Sequence, residues 1–137
     1  MRKVILMMML LLLLLAGLSS NAIAEEWVAV SNTDDGGITV YANQSTIRKE
    51  GNIVRIWTLG DFKKAEQIGN NKQFLSLKEQ YEYDCKEEQM RRLYATMHSG
   101  NMGRGNVVDS SPIYEGWRPV PPDSLNEHLW KFACGKK

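Results

Sequence analysis

The chain has 137 residues, 17 of them basic and 16 acidic, for a formal net charge of +1. So even a balance gives no global pull toward nucleic acid or an anionic membrane surface. Two cysteines allow at most one disulfide within the chain, and four tryptophans argue for a packed domain and against disorder.

The first residues set the compartment. Arg2 and Lys3 precede an apolar run from Val4 to Ala16, followed by small and polar residues and the triplet Ala22-Ile23-Ala24. This is the layout of a secretory signal, with the cut expected between Ala24 and Glu25. The run is shorter than the about 20 apolar residues that a spanning helix needs, and no later stretch is long enough to span a bilayer. Residues 1–24 are therefore read as a signal peptide and 25–137 as one exported domain. Its net charge is −1, because Arg2 and Lys3 leave with the leader while all 16 acidic residues stay. No cysteine stands near the cut, so lipid attachment at a new N-terminal cysteine is not expected.

Strand signals come early. EWVAV is followed by the turn formers SNTDDGG and then by ITVYA, which alternates with period two. Beyond Ser45–Lys49, the pair Gly51-Asn52 between apolar runs signals a hairpin into a longer strand, IVRIWTLGDF. Lys63 to Lys72 is polar and reads as a loop. Phe74 to His98 is ambiguous: Leu77, Tyr81, Tyr83 and Cys85 share a strand face, whereas KEEQMRRLYATM fits a helical stripe as well as a strand. GNMGRGN reads as a flexible hairpin turn and NVVD as a short strand. Pro119, Pro121 and Pro122 forbid a central strand in the stretch that follows. The clearest element is the last helix. Ser124 and Glu127 make a capping-box pair, Gly135 stops the helix, and Leu125, Leu129, Phe132 and Ala133 form its stripe, with Trp130 and Cys134 flanking.

In an oxidising compartment, two cysteines in a small domain are most simply one disulfide, Cys85–Cys134. The bridge closes a loop of about 50 residues, worth up to ~4 kcal/mol in the chain-entropy model. A helix of about ten residues is marginal by itself in water. A bond from Cys134 to Cys85 would lay its stripe over the face that carries Leu77, Tyr81 and Tyr83. The expected fold is α+β: an antiparallel sheet with a C-terminal helix packed on one face and tethered by the disulfide.

These residues resemble the surface-adhesin protein E family of Gram-negative bacteria. The matching pieces are Trp27-Val28, then Tyr41 followed by Ser45 and Ile47, then Gly51 and a strand ending near Trp57. SLKEQYEYDC with Cys85 and Arg91 comes next, then Gly116-Trp117, Pro122-x-Ser124, and a helix finishing Phe132-Ala133-Cys134. The resemblance runs from about Trp27 to Cys134. It implies about six antiparallel strands with the helix on the concave side, and it turns the ambiguous segment toward strands. It also implies a non-enzymatic module presenting its sheet and loops to a protein or glycan ligand. The alternative is a periplasmic structural or accessory envelope protein with no adhesive role.

Candidate chemical groups are few. His98 opens a turn and His128 projects away from the helix stripe, and neither has a partner set for acid–base or nucleophilic work, so no catalytic residues and no cofactor are expected. Met97, His98 and Met102 are soft ligand types without a defined metal spacing, and Asn32, Asp34 and Asp35 read as a β-turn in place of a calcium loop. No metal site is expected. Arg48, Lys49, Arg55, Lys63, Lys64, Arg91, Arg92 and Arg104 would suit acidic glycans or acidic protein segments if gathered, but interleaved carboxylates favour a mixed solvated surface. An open sheet edge offers pairing with a second copy of the chain.

Overall fold

The computed structural model describes residues 1, 3, 4, 26–113 and 115–137. The leader expected over residues 1–24 thus lies outside the described residues except for those three positions. From residue 27 the elements are β1 (Trp27–Asn32), β2 (Ile38–Asn43), β3 (Arg48–Glu50), β4 (Ile53–Ile68), β5 (Lys72–Asp84), β6 (Gln89–His98), β7 (Val107–Pro112), β8 (Arg118–Pro119) and the helix α1 (Leu125–Cys134).

Six strands run antiparallel in the order β1-β2-β4-β5-β6-β7, with short β3 beside β4 and short β8 beside β6. Period-two alternation decides what each strand shows to each side. Val40 and Ala42 of β2, Val54 and Ile56 of β4, and Tyr81 and Tyr83 of β5 form one buried face with Met90 of β6. Leu129, Trp130 and Ala133 of α1 close this core, while Leu125, Phe132 and Cys134 pack at its margin. Trp130, read as flanking the stripe, is therefore one of its buried members, and Phe132 is half-buried.

Three devices fix α1. Cys85 and Cys134 are joined by a disulfide with their Cα atoms 5.6 Å apart. The Trp130 indole N–H donates to the Asp84 carbonyl at 3.0 Å, one residue before the bridge. The termini are capped: Ser124 Oγ accepts from Glu127 N–H, and Gly135, at φ 65°, turns its N–H back onto the Lys131 and Phe132 carbonyls. The Glu127 carboxylate accepts from the Asp123 N–H and pairs with Lys131, so the reciprocal arm of the cap lands one residue earlier than the standard pairing.

One sequence reading is corrected, and the ambiguous segment is resolved to strand as the family resemblance implied. Lys63–Ile68, read as loop, continues β4 and pairs with Lys72–Phe74 beyond an irregularity between Asp61 and Glu66. Residues 63–67 are exposed, so neither face of this ribbon needs an apolar pattern and no alternation marks it. The ambiguous segment Gln89–His98 is a strand, against the helical propensity of its charged half. Its register shifts between Gln80 and Tyr81 of β5, so Tyr94 opposes Gln80 while Arg92 opposes Tyr81, with Leu93 as the extra residue. The bulge switches the face on which even-numbered residues lie: Met90 and Arg92 point toward α1 before it, Tyr94, Thr96 and His98 away after it. A strand that changes parity midway cannot read cleanly as period two.

Candidate functional site

The face of the sheet turned away from α1 carries the polar chemistry. Register places Arg48, Arg55, Glu82 and Arg91 in one row across β3, β4, β5 and β6. The next row is Trp57, Gln80 and Tyr94, and the next is Leu59, Lys78 and Thr96. Trp27, opposite Asn43 across β1 and β2, joins this face at its β1 side.

A basin of about 340 Å³ opens in the middle, lined by Trp27, Asn43, Thr46, Trp57, Lys78, Thr96 and His98. Trp57 meets Tyr94 edge to face at 5.9 Å, and the Lys78 ammonium lies 5.7 Å from the centre of the Trp27 ring. Such contacts hold large flat side chains in fixed attitudes without burying them completely. Asn43 is buried because it organises the turn beside the basin: its side-chain oxygen accepts from the Ser45 N–H and hydroxyl, and Thr46 Oγ1 donates to its carbonyl. His98 is buried with Nε2 3.0 Å from Thr96 Oγ1. It ends β6 just before the turn that it was read as opening, and it is part of the basin wall.

The segment 99–106 supplies a further wall. Residues 100–106, read as a flexible hairpin turn, do join β6 to β7, and they also fold onto the sheet. Ser76 Oγ donates to the Gly100 carbonyl and accepts from the Gly103 N–H, while Asp61 accepts from Met102 N–H and the Asn101 amide. Gly103, at φ 70°, leaves no room for a side chain, since an added Cβ would run into Lys78 Cε. Gly103→Ala should therefore push the Lys78 stem out of place, at the cost of backbone strain and some crowding of Leu59, seen as a shifted Lys78 Hε and Trp27 ring resonance by NMR. Unchanged resonances would show that the loop does not set the lysine.

The cationic row is internally tied. Glu82, buried, accepts from Arg55 Nη2 at 3.0 Å and from Arg91 Nε at 2.8 Å, and Arg91 also stacks 4.5 Å over the Trp117 ring. Burial alone would raise the Glu82 pKa, but the hydrogen bonds and charges of Arg91 and Arg55 outweigh it and hold the carboxyl below its ordinary 4.5. A lowered folded-state value means stability that is complete above about 4.5 and is lost as the pH falls through that lowered value. Glu82→Gln should thus melt several degrees below the parent at pH 7, with the gap closing in acid. A gap independent of pH would show that the carboxylate charge is not what the arginines recognise.

The other sequence candidates do not converge. Arg92 lies on the α1 side, held by Glu79 at 2.8 Å and Glu115 at 2.9 Å, with the Tyr81 hydroxyl donating to Glu79. Lys63, Lys64 and Arg104 are exposed elsewhere, so the eight basic residues form no single patch. Met97 opposes Leu77 on the helix side, Met102 sits in the loop, and His128 is exposed on α1. Asp35 accepts from the Thr33 hydroxyl and the Gly37 N–H, making a local turn. Among the described residues no group of three or more His, Cys, Asp or Glu is arranged to hold a metal, and no helix is long and apolar enough to cross a membrane. The aromatic basin itself was missed. Its one signal in the sequence was that Trp57 and Leu59 fall on the face opposite Val54 and Ile56, giving β4 two apolar sides.

Fold and face together define an antiparallel-sheet domain, sealed on one side by a disulfide-tethered helix and presenting an aromatic basin on the other. The chain belongs to the surface-adhesin protein E family, whose model matches residues 27–135. Solved structures of Haemophilus influenzae protein E share this fold. The selenomethionine form superposes with a TM-score of 0.59 at 9% identity, covering 85% of this chain and 90% of that one. Crystal form II gives 0.57 at 11% identity, covering 80% and 96%. Among curated proteins no sequence matches this chain.

Proposed function

We propose that this chain is a non-catalytic binding module, exported to the periplasm or cell surface, that presents its helix-free face to an extracellular or envelope protein or glycan. The observation that carries the reading is the basin of half-buried aromatic rings on the side that α1 leaves open. Rings held in place yet accessible to solvent are what a recognition surface requires, and a sheet whose second face served only solubility would have little use for them. Membership of the surface-adhesin family supports the same reading, with residues 25–137 as one domain after removal of a leader. The exposed Val28 of β1 and Val107 of β7 lie on the two outer strands of the main path and offer edges for a second copy.

The purified exported chain, applied to arrayed matrix proteins and glycans, should bind at least one of them saturably, and Trp57→Ala should abolish that binding while still folding by circular dichroism. Absence of any binding, or binding indifferent to substitutions on this face, would overturn the proposal. Cell fractionation with protease shaving separates surface display from an accessory role inside the envelope.

A further inference from the structure

We propose that the basin bounded by Trp27, Trp57, Lys78 and Thr96 is a subsite for a carboxylated sugar, a uronic or sialic acid unit of a glycan. The inference rests on the binding-module reading and names the chemistry of its ligand.

Sugar rings are amphipathic: an axial C–H face is apolar and weakly positive, and the ring edge bristles with hydroxyls. The negative face of an aromatic ring attracts the first. The second needs short donors and acceptors fixed at the margin. The basin supplies both. Trp27 and Trp57 are half-buried rings; Thr96 brings a hydroxyl and Asn43 an amide NH2 group to their margin, while the Thr46 hydroxyl, fixed between the Asn43 carbonyl and the Trp57 N–H, keeps acceptor capacity. Its volume, about 340 Å³, sits at the small end of the about 300–1,000 Å³ typical of small-molecule sites. That suits one pyranose with its substituents and is cramped for a folded peptide turn.

Charge selects the acidic members of the class. Among the described residues the basin lining carries the Lys78 ammonium, in contact with the Trp27 ring, and no carboxylate. The neighbouring row adds Arg48, Arg55 and Arg91 against Glu82, and a crevice of about 150 Å³ beside it is lined by Arg48, Lys49 and Arg55 together with the carboxylates of Glu50 and Glu82, so cations still outnumber carboxylates. Glu82 engages one edge of each of two guanidinium groups, and each guanidinium has five N–H donors. Arg55 is 51% exposed and Arg91 36% exposed, so both keep donors at the surface. On a chain of nearly neutral total charge, this is a local positive field beside an aromatic floor. A glycan alternating acidic and neutral sugars would lay one unit in the basin and its next carboxylate along the arginine row, where planar guanidinium groups match carboxylate geometry. An acidic peptide satisfies the charge but offers no ring with an apolar face for the tryptophans.

The test uses the full exported chain and three probes: a tetrasaccharide alternating glucuronic acid and N-acetylhexosamine, the same tetrasaccharide with its carboxyl groups reduced, and hexaglutamate. Each is titrated while the tryptophan indole N–H resonances, assigned by single Trp→Phe variants, are followed by NMR. The acidic tetrasaccharide should shift the Trp27 and Trp57 indoles saturably and leave Trp130, on the other face, unmoved. Carboxyl reduction should weaken binding by about tenfold or more, the expected effect of losing charge-assisted hydrogen bonds. Lys78→Gln should lose affinity for the acidic probe while keeping the parent's circular dichroism spectrum. No shift of either indole overturns the proposal, equal binding of the reduced probe overturns its acidic part, and hexaglutamate acting equally on the same indoles makes the ligand a peptide. If the array assay still finds a ligand while the tetrasaccharide moves nothing, this inference fails and the binding-module reading survives. If neither binds, both fall.

Discussion

Cys134→Ser should lower the melting temperature by about 10–20 °C. Cys85 and Cys134 are 49 residues apart, and releasing a loop of that size from the unfolded ensemble costs the folded state about 2–4 kcal/mol. A domain of this size shifts by about 4–6 °C per kcal/mol. The bridge is also the covalent part of α1's attachment. Among the described residues, packing and one indole hydrogen bond would then hold a ten-residue helix that is marginal alone. Reductant should bring the parent down to the variant's melting point and leave the variant unaffected. A variant melting within a degree or two of the parent would mean that packing alone docks the helix.

Trp130→Ala should be nearly as damaging, at about 3–5 kcal/mol, because it removes a buried ring and its hydrogen bond together. Trp130→Phe separates the two contributions. It keeps most of the buried surface but leaves the Asp84 carbonyl without its indole donor, for about 1–2 kcal/mol. The disulfide and the indole bond grip adjacent residues at the same end of β5, so their effects should not add. In a double-mutant cycle, Trp130→Phe should cost less in a Cys134→Ser background than in the parent, because a helix already released has less docking to lose. Strict additivity, read from denaturant midpoints, would show that the two contacts act on separate parts of the fold.

How far the sequence discloses this molecule depends on whether each strand has one wet side and one dry side. Tyr81 and Tyr83 alternate with polar neighbours that face the other way, and the helix announces itself through Ser124, Gly135 and a stripe with two-turn spacing. These elements were legible because a single environment acts on each face. Lys63–Ile68 was not, since a ribbon exposed on both sides needs no pattern. Gln89–His98 was obscured by its bulge, which exchanges inside and outside between Arg92 and Tyr94. The basin is harder still. Trp27, Trp57, Lys78 and His98 come from four strands, and only strand order and register bring them together. No local spacing can encode that meeting. Individual residues gave hints, such as a tryptophan on the wrong side of β4, but the site exists only at the level of the sheet.

One helix, covalently tied, closes one face of the sheet and leaves open the other, which we propose as the recognition surface. The most direct measurement places a photo-crosslinking amino acid at one solvent-accessible position on each side in living cells: at half-buried Gln80, between Trp57 and Tyr94 on the open face, and at exposed His128 on α1. Adducts to an envelope or extracellular partner should form from position 80 and not from 128. Adducts from position 128 alone would put the recognition surface on the helix and contradict the account.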